Sequence, residues 1–492
     1  MRPHRVAVIG GGLGGLAAAG HLAARNVEVV LFERAATLGG KAGTFTARGH
    51  TLDTGPTLLA MPEVVRQTFA RLAASDLLPP LRELEEQCQY RWENGRALSA
   101  YRDVERTAAS ASAFGPGARD GMLRFYQQAA DIYRAAGEPY LEAPFEGVFS
   151  FMGRVLARGP QAALTGVRLG TLAQLGERHF RHLELRQFAG RFATYAGASP
   201  FAASAAFALI PHVERAFGVH HVEGGMGSLA AALGTAVQRL GVKVHTNTAA
   251  HHEAWGPGFV AGPDGGEESF DAVVVNTDPL AAQPKASARL SLSGYVLWLE
   301  ASQRLALPHH LVLFSRDDRA EFGALDAGRL ADDVTLYVCH PAASDAGASP
   351  PGKSGLFVMV NVPPLPPVAQ GERSADPSTR ASPSLRVNGE TIREHVLQTL
   401  RRRVPELAGV ELGVLGERTP DDLAALGAPR GSIYGFLPSG RLGPFRRPRI
   451  RGKQRGVFFA GGGTHPGGGV PLVMLSGRFA AELALEHLGA RF

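Results

Sequence analysis

The chain has 492 residues, of which 45% are hydrophobic and 20% charged, and its formal net charge is +6. Hydrophobic cores stop growing near about 250–300 residues, so at least two domains are expected. The composition is that of a globular protein and excludes collagen-like and disordered classes. Cys88 and Cys339 are the two cysteines and lie far apart in the sequence. This disfavours a disulfide framework and favours a reducing compartment.

The first elements form a predicted βαβ unit: a strand over residues 5–9, a helix over 13–25 and a strand over 27–33. Gly10, Gly12 and Gly15 occupy the G-x-G-x-x-G positions between the first strand and the helix. They permit a tight turn, close approach of a pyrophosphate and close helix–strand packing, and the helix N-terminus attracts the phosphate charge. Glu33 ends the second strand, where a carboxylate accepts hydrogen bonds from ribose hydroxyls. The sequence therefore predicts a dinucleotide site, and this fingerprint alone does not choose between FAD and NAD.

The remaining elements suggest that the nucleotide-binding pattern is interrupted and then resumes. Between about residues 79 and 198 the pattern is mostly helical, without further parallel-strand rhythm. Three later runs predict a mainly antiparallel sheet. The other predicted elements are an amphipathic helix over 122–136, a helix over 229–240, strands over 242–247 and 271–276, sheet strands over 291–300, 334–339 and 356–362, an exposed connector over 363–383, a helix over 388–404, a strand over 456–460 and a helix from 471 onward.

Basic residues gather near the end of the chain, at Arg446, Arg447, Arg449, Arg451, Lys453 and Arg455. Two interpretations stay open: a solvated loop, or attraction to anionic lipid headgroups, to which each cation contributes about 1 kcal/mol. Aromatic residues do not alternate with these cations, so we expect no nucleic-acid partner. The longest apolar run, residues 201–210, is about half of the roughly 18–20 residues that a membrane-spanning helix needs.

Several motifs resemble the amine-oxidase and carotenoid-desaturase group of FAD proteins. After Glu33 come Gly39-Gly40-Lys41 and the turn Asp53-Thr54-Gly55-Pro56-Thr57. Further similarity lies in the segments YAG (195–197), EGGMG (223–227) and VVNTDP (274–279). The segment FFAGGGTHPGGGVPLV (458–473) is similar to the C-terminal signature of bacterial phytoene and carotenoid desaturases. The acidic residue that amine oxidases usually carry near Gly462 is absent, which argues against that branch.

This resemblance covers nearly the whole chain and implies FAD as the cofactor. The residues that it places in the FAD site are Gly10, Gly12, Gly14, Gly15, Glu33, Arg34, Gly40, Lys41, Gly55, Pro56, Thr57, Gly461, Gly462, Gly463, His465, Pro471, Leu472 and Val473. Pro471 suits the first turn of a helix whose positive end can face the flavin N1 and O2 atoms and favour reduced flavin. For His465, a structural hydrogen bond and contact with the reacting region stay open.

The implied fold is α/β, with a discontinuous Rossmann-type FAD-binding domain over residues 1–75, 215–285 and 430–492. Residues 76–214 and 286–429 then form an inserted substrate- and membrane-binding region of helices and antiparallel sheet. The implied reaction removes two hydrogens from a saturated carbon–carbon bond beside a polyene, one as a hydride to flavin N5 and one as a proton. We identify no protein acid or base from the sequence.

The segments CQYRW (88–92), HHLVLFS (309–315) and LYVC (336–339) are similar to the branch of 1-hydroxycarotenoid 3,4-desaturases. That branch implies a 1-hydroxylated acyclic or monocyclic carotenoid as substrate. Phytoene desaturase is the alternative, followed by carotenoid isomerase and a flavin- and carotenoid-binding protein without turnover. We also expect peripheral attachment to the cytoplasmic side of the cell membrane, and quinone or oxygen as the electron acceptor.

Two other patterns have competing explanations. Gly225, Gly227 and Ala230 imitate a second dinucleotide fingerprint, but the preceding segment is not a clean buried strand, so we expect no second nucleotide site. The pairs His220/His221, His251/His252 and His309/His310 invite a metal hypothesis. Adjacent strand residues point to opposite faces and helical ligand pairs need wider spacing, so we predict no metal site.

Overall fold

A computed structural model describes residues 4–141, 143–159, 170–250, 260–261, 267–282, 289–367, 386–387, 390–440 and 443–490. The strands are β1 (Arg5–Ile9), β2 (Glu28–Phe32), β3 (Thr44–Ala47), β4 (His50–Asp53), β5 (Leu81–Glu83), β6 (Glu86–Arg91), β7 (Ala97–Tyr101), β8 (His220–Val222), β9 (Lys243–His245), β10 (Val260–Ala261), β11 (Glu267–Glu268), β12 (Ala272–Val275), β13 (Ser293–Ala301), β14 (His310–Leu313), β15 (Leu336–Cys339), β16 (Ser354–Val362), β17 (Arg386–Val387), β18 (Glu390–Thr391), β19 (Leu412–Arg418) and β20 (Val457–Phe459). The helices are α1 (Leu13–Ala23), α2 (Pro62–Arg71), α3 (Val104–Ala111), α4 (Ala118–Ile132), α5 (Glu138–Leu141), α6 (Val148–Leu156), α7 (Leu172–His179), α8 (Leu183–Gly190), α9 (Leu209–Phe217), α10 (Met226–Arg239), α11 (Pro279–Ala282), α12 (Asp318–Asp326), α13 (Ile392–Arg403), α14 (Pro420–Ala425) and α15 (Val470–His487).

A five-stranded parallel sheet in the order β20-β12-β1-β2-β9 carries the N-terminal glycine loop. Strand β1 is almost continuously apolar, as expected for a central parallel strand that is covered on both faces. Helices α1 and α15 pack against each other beside this sheet. An added Cβ at Gly477 of α15 would lie 2.2 Å from the Gly14 carbonyl oxygen, so a side chain there would force the two helices apart. The predicted Rossmann-type βαβ start is confirmed.

A second sheet has seven strands in the order β19-β13-β16-β15-β14-β6-β7. Its neighbours are antiparallel except for β14 and β6, which run parallel. Leu297, Leu311 and Val358 on one face pack into a core that helix α13 covers through Val396 and Leu400. The mainly antiparallel sheet that the sequence predicts is therefore present.

The mostly helical pattern predicted for residues 79–198 is found from α3 onward, but the prediction did not identify the strands at the start of that segment. Strands β5, β6 and β7 lie there, and β6 and β7 form one edge of the seven-stranded sheet. After them come helices α3 to α8, whose core includes Phe125, Phe188 and Phe192. The helix predicted over 122–136 is α4, followed by one π-helical turn at Tyr133–Gly137.

The parallel strands come from three separated parts of the chain, each inside one of the three segments assigned to the FAD-binding domain. The domain boundaries themselves stay a prediction. Most of the predicted connector over 363–383 lies outside the described residues, as do His251 and His252. Cys88 and Cys339 are both buried and free of a disulfide. Within the described ranges, no helix combines the length and the apolar character needed to cross a bilayer.

Candidate FAD-binding site

The loop between β1 and α1 is built for a diphosphate. Gly10 has φ +98°, a conformation that side chains rarely adopt, and Gly12 is the N-cap of α1 without a side-chain hydrogen bond. An added Cβ at Gly15 would lie 2.0 Å from the Gly10 carbonyl oxygen, so this glycine is required by the turn itself. A helix start of this kind can bind an anion, which the first N–H groups and the helix dipole attract.

Glu33 lies beside this loop, as the spacing predicts. Its carboxylate accepts hydrogen bonds from the backbone N–H groups of Gly11, at 2.6 Å, and Ala35, at 2.8 Å. These bonds fix the carboxylate at the end of β2, where it can also receive hydroxyl donors. Arg34 is exposed and donates to the Ala425 carbonyl oxygen, so it ties the site to the end of α14.

The pair Gly39–Gly40 packs directly on the loop between β1 and α1. Gly39 donates its N–H to the Gly11 carbonyl oxygen at 2.8 Å, and an added Cβ at Gly40 would lie 3.4 Å from the Gly12 Cα. The turn that contains Gly55 packs on the same segment, since a Cβ at Gly55 would lie 2.3 Å from the Lys41 carbonyl oxygen. The structure therefore brings these three predicted segments together, with Pro56 half-buried and Thr57 buried beside them.

The C-terminal glycine segment meets the first loop through Asn276. An added Cβ at Gly14 would lie 2.5 Å from Asn276 Oδ1 and 3.0 Å from the Gly461 nitrogen. Asn276 Nδ2 donates to the Gly10 carbonyl oxygen at 3.3 Å, whereas Oδ1 is buried with no hydrogen-bond partner among the described residues. Sequence reasoning noticed the segment that contains Asn276 but did not include this residue in the site.

Three charged side chains lie in this part of the site, of which Arg447 is buried and Asp278 and Lys41 are half-buried. Arg447 Nη1 donates to the Gly462 carbonyl oxygen at 2.7 Å, and a Cβ at Gly463 would lie 2.4 Å from Asp278 Oδ2. Lys41 Nζ donates to the Ile433 carbonyl oxygen at 2.7 Å. Burial lowers the pKa of Lys41, a shift that Asp278 opposes, and burial raises the pKa of Asp278.

The sequence pattern places Arg447 in a run of basic residues at the surface. This is wrong for Arg447, because its side chain is buried. Arg446, Arg449, Arg451, Lys453 and Arg455 are exposed. A positive charge therefore lies at the glycine segment, where it can stabilise an anionic ligand group. The local sequence carries no signal that separates Arg447 from its neighbours.

Helix α15 starts immediately after the glycine segment. Its N-cap, Gly469, has φ +107° and makes no side-chain capping bond, and Pro471 occupies the first turn. Leu472 and Val473 are half-buried at the same helix end. This second uncapped N-terminus fits the positive helix end predicted to face the flavin.

His465 contacts aromatic residues. Nε2–H donates to the Ala143 carbonyl oxygen at 3.2 Å, and the Tyr140 ring centroid lies 4.4 Å from that of the imidazole. Burial lowers the pKa of His465 to about 3, so the ring stays neutral at physiological pH. These contacts favour the structural role of the two that the sequence leaves open.

The second apparent fingerprint has a packing explanation. Met226, which starts α10, donates its N–H to Asp53 Oδ1 at 2.6 Å. Added Cβ atoms at Gly225 and Gly227 would lie 2.7 Å from Asp53 Oδ1 and 1.9 Å from Thr44 Oγ1. The preceding strand β8 pairs with β5, outside the parallel sheet. Asp53 therefore occupies the helix end that a second nucleotide would need.

Taken as a cofactor site, these residues fit FAD. The cradle for an extended dinucleotide has three parts. They are the two helix N-termini without side-chain caps, the glycines that pack against backbone, and Asn276 Oδ1, which has no hydrogen-bond partner among the described residues. The α1 end would hold the pyrophosphate and Glu33 the ribose. Lys41, the turn at Gly55 and the start of α15 would surround the flavin ring.

Comparison with known proteins agrees with this geometry. Residues 13–363 match the family of flavin containing amine oxidoreductases. The chain is 34% identical to a hydroxyneurosporene desaturase of Cereibacter sphaeroides, over 99% of this chain and 98% of that protein. It is 30% identical to a zeta-carotene-forming phytoene desaturase of Myxococcus xanthus, over 97% and 93% of the two chains. Cyclohexylamine oxidase from Brevibacterium oxydans has a similar fold, with a TM-score of 0.61 and 15% identity over 99% of this chain and 100% of that one.

The chain therefore belongs to the flavin containing amine oxidoreductase family and, within it, to the carotenoid desaturases. It is an oxidoreductase, and its cofactor is FAD. The predicted combination of a Rossmann-type FAD domain with an antiparallel substrate sheet is confirmed.

Proposed function

We propose that this enzyme introduces a double bond at C3–C4 of a 1-hydroxylated acyclic or monocyclic carotenoid. The observation that carries the proposal is the full-length similarity to a hydroxyneurosporene desaturase. The similarity to a phytoene desaturase is lower, at 30% identity against 34%. Phytoene desaturation is therefore the second candidate.

FAD, when bound, supplies the hydride acceptor for such a desaturation. The glycine cradle would position the cofactor, and the N-terminus of α15 and the buried Arg447 would stabilise negative charge on the flavin. Thr57 is buried and Tyr434 is half-buried, and with the aromatic residues around His465 they would limit access of water to this region.

The decisive experiment is conversion of a purified 1-hydroxycarotenoid by the FAD-loaded enzyme. The expected product is two mass units lighter and absorbs at longer wavelength, because the conjugated chain gains one double bond. Conversion of colourless phytoene with no activity on the hydroxylated substrate would favour the second candidate. Bleaching of the flavin by the carotenoid under anaerobic conditions separates an enzyme from a binding protein without turnover.

We further propose that the enzyme attaches peripherally to the cytoplasmic side of the membrane through helix α6. Phe149 of this helix is 95% exposed, and Val148 and Leu156 are also exposed. On the opposite side of the helix, Phe151 and Val155 pack against Phe145 and Phe445. A helix that presents aromatic and aliphatic side chains outward suits the interface of a lipid bilayer.

Charge next to α6 supports an anionic lipid surface as the partner. Arg449 lies close to the helix start, since an added Cβ at Gly147 would be 3.9 Å from Arg449 Nη2. The exposed cations Lys453 and Arg455 follow in the same segment. Phe145 connects this surface to the FAD site, because its ring centroid lies 6.2 Å from that of His465. A lipid-dissolved substrate would thus enter near the glycine segment.

Liposome flotation tests this attachment. The enzyme should float with vesicles that contain phosphatidylglycerol, and Phe149→Glu should reduce the bound fraction. Leu426→Glu is the matched control, because Leu426 is also exposed but follows α14 near Arg34. Equal flotation of both variants would contradict a role for α6.

Quinone or oxygen is the electron acceptor that we propose. Peripheral attachment would bring the reduced enzyme to membrane quinone. Anaerobic assays with and without an added quinone, compared with assays in air, distinguish the two acceptors.

A further inference from the structure

Three buried side chains with metal-binding atoms meet at the start of β14. His310 is the first residue of that strand and lies opposite Cys339 of β15 in the antiparallel register. His309 precedes the strand, and its ring centroid lies 4.5 Å from that of His310 in an edge-to-face arrangement. One possible ligand atom from each of His309, His310 and Cys339 lies within 4.8 Å of the other two.

The expectation of opposite faces therefore fails for this histidine pair, because His309 lies outside the regular part of the strand. For His220 and His221, which are both inside β8, the side chains meet different carboxylates. His220 approaches Glu83 at 4.0 Å, whereas His221 pairs with Asp345 at 3.1 Å.

Hydrogen bonding leaves the same ring nitrogen free on both histidines. His309 Nδ1 pairs with Ser344 Oγ, and His310 Nδ1 pairs with the Tyr337 hydroxyl at 2.7 Å. Both Nε2 atoms are buried and have no hydrogen-bond partner among the described residues. When each Nδ1–H donates to its hydroxyl oxygen, Nε2 presents a lone pair, which is the usual arrangement of a metal-binding histidine.

We propose that His309, His310 and Cys339 bind a zinc-class transition-metal ion. Two imidazole nitrogens and one thiolate are a ligand set typical of zinc, with a fourth position left open. On binding, the metal replaces the thiol proton of Cys339, which leaves to solvent, and no electron transfer is involved. The proposal does not depend on the identity of the carotenoid substrate.

A cavity with acidic side chains lies near this cluster. The cavity has a volume of about 260 Å³ and is lined by Asp53, His221, Glu223 and Asp345, among others. The His221 ring centroid lies 4.9 Å from that of His309, so one side chain of the cavity wall contacts one of the three proposed ligands. The carboxylates would attract a hydrated cation toward the buried site.

The site also connects to the flavin region. The Tyr337 hydroxyl that bonds to His310 also bonds to Thr57 Oγ1 at 2.5 Å, and Thr57 is one of the residues assigned to the FAD site. A bound ion would fix the His310 ring and, through Tyr337, the position of this turn. The metal would therefore have a positioning role for the cofactor loop.

The test is metal analysis of the FAD-loaded full-length enzyme after incubation with Zn²⁺ or Co²⁺ and gel filtration. We expect about one ion per chain, and for Co²⁺ we expect visible bands of a tetrahedral site together with a thiolate charge-transfer band. Cys339→Ser and His310→Ala should abolish both the stoichiometric binding and these bands. Cys88→Ser is the matched control, because Cys88 is buried and free but lies outside the cluster.

Retention of FAD by each variant shows that it has folded. A wild-type enzyme that binds less than about a tenth of an ion per chain overturns the proposal, whatever the variants do. Equal metal content in wild type and Cys339→Ser also overturns it, since the binding would then be adventitious.

Discussion

Two glycine-rich segments approach the FAD site from opposite ends of the chain, and they are shaped by different kinds of contact. In the first segment, a side chain at position 15 would collide with the carbonyl oxygen of Gly10, five residues earlier. In the last, Gly463 faces Asp278 and Gly468 faces Tyr434, neither of which is its sequence neighbour. The turn of the first segment is set by a local contact, although Asn276 also packs against that segment, whereas the contacts of Gly463 and Gly468 form only in the assembled protein. Substitutions in the first segment should therefore act mainly on FAD affinity, and substitutions around the last segment mainly on the free energy of unfolding.

The largest effect is expected in the first loop. Gly12 has φ −71°, so Gly12→Val is compatible with the backbone, but its side chain would occupy the space before α1 and push against Asn276 Nδ2, 2.8 Å from an added Cβ. We expect FAD affinity to fall by about 1,000-fold, or about 4 kcal/mol. Flavin content of the purified variant measures this loss. Gly323→Ala, on a helix where no atom lies within 4 Å of the added Cβ, is the control and should keep its flavin. Full occupancy in Gly12→Val would remove the first loop from the site.

Asp53, at the end of β4, is a buried carboxyl in the segment that leads into the turn at Gly55. Burial raises the pKa of Asp53 from 3.8 to about 7, against a smaller opposing effect of the Met226 N–H. Well below pH 3.8 the carboxyl is protonated in both folded and unfolded chains. As the pH rises from about 4 to 7, the unfolded chain ionises first, so Asp53 costs stability that reaches about 2–4 kcal/mol above pH 7.

Asp53→Asn keeps an oxygen that accepts the Met226 N–H and removes this titration. We expect wild type and variant to have similar free energies of unfolding at pH 4, and the variant to be more stable at pH 8. Denaturant titrations at both pH values measure the difference. A constant difference between the two proteins from pH 4 to 8 would show that Asp53 titrates normally.

Arg447 is buried against the last glycine segment and Arg449 is exposed, so substitutions of these two arginines can be compared. Arg447→Met removes the donor to the buried Gly462 carbonyl oxygen and should lower the free energy of unfolding by about 1–3 kcal/mol. Its flavin spectrum should also shift, because a cation near the glycine segment is lost. Arg449 is exposed, so Arg449→Met should change stability by less than about 0.5 kcal/mol and leave the spectrum unchanged. Similar effects of the two substitutions would contradict the difference in burial.

The same distinction explains how much could be predicted from the sequence. The β1–α1–β2 unit and Glu33 were predictable because apolar runs, glycine spacing and strand ends are local features. Strand β6 was missed because its polar residues, such as Glu86 and Gln89, become part of a sheet only through β14, more than 200 residues later. Burial of Arg447 and the contacts of Asn276 likewise arise between distant segments. The metal-site residues His309 and His310 were noticed, but their relative orientation required the turn that precedes β14.

The smallest effect is expected at His465 of the last glycine segment. For this residue the sequence leaves open either a structural hydrogen bond or contact with the reacting region. His465→Phe preserves an aromatic ring among Tyr140, Phe145 and Phe479 but removes the hydrogen bond to the Ala143 carbonyl oxygen. We expect a loss of about 1 kcal/mol in the free energy of unfolding, with kcat changed less than about twofold. Because burial lowers the pKa of His465 to about 3, the imidazole is neutral from pH 5 to 8 in the folded enzyme. The wild-type pH–rate profile over that interval should therefore be unchanged by the substitution. A large fall in kcat at unchanged stability, or the loss of a pH-dependent limb, would instead assign His465 to the reacting region and make the last glycine segment a participant in the chemistry.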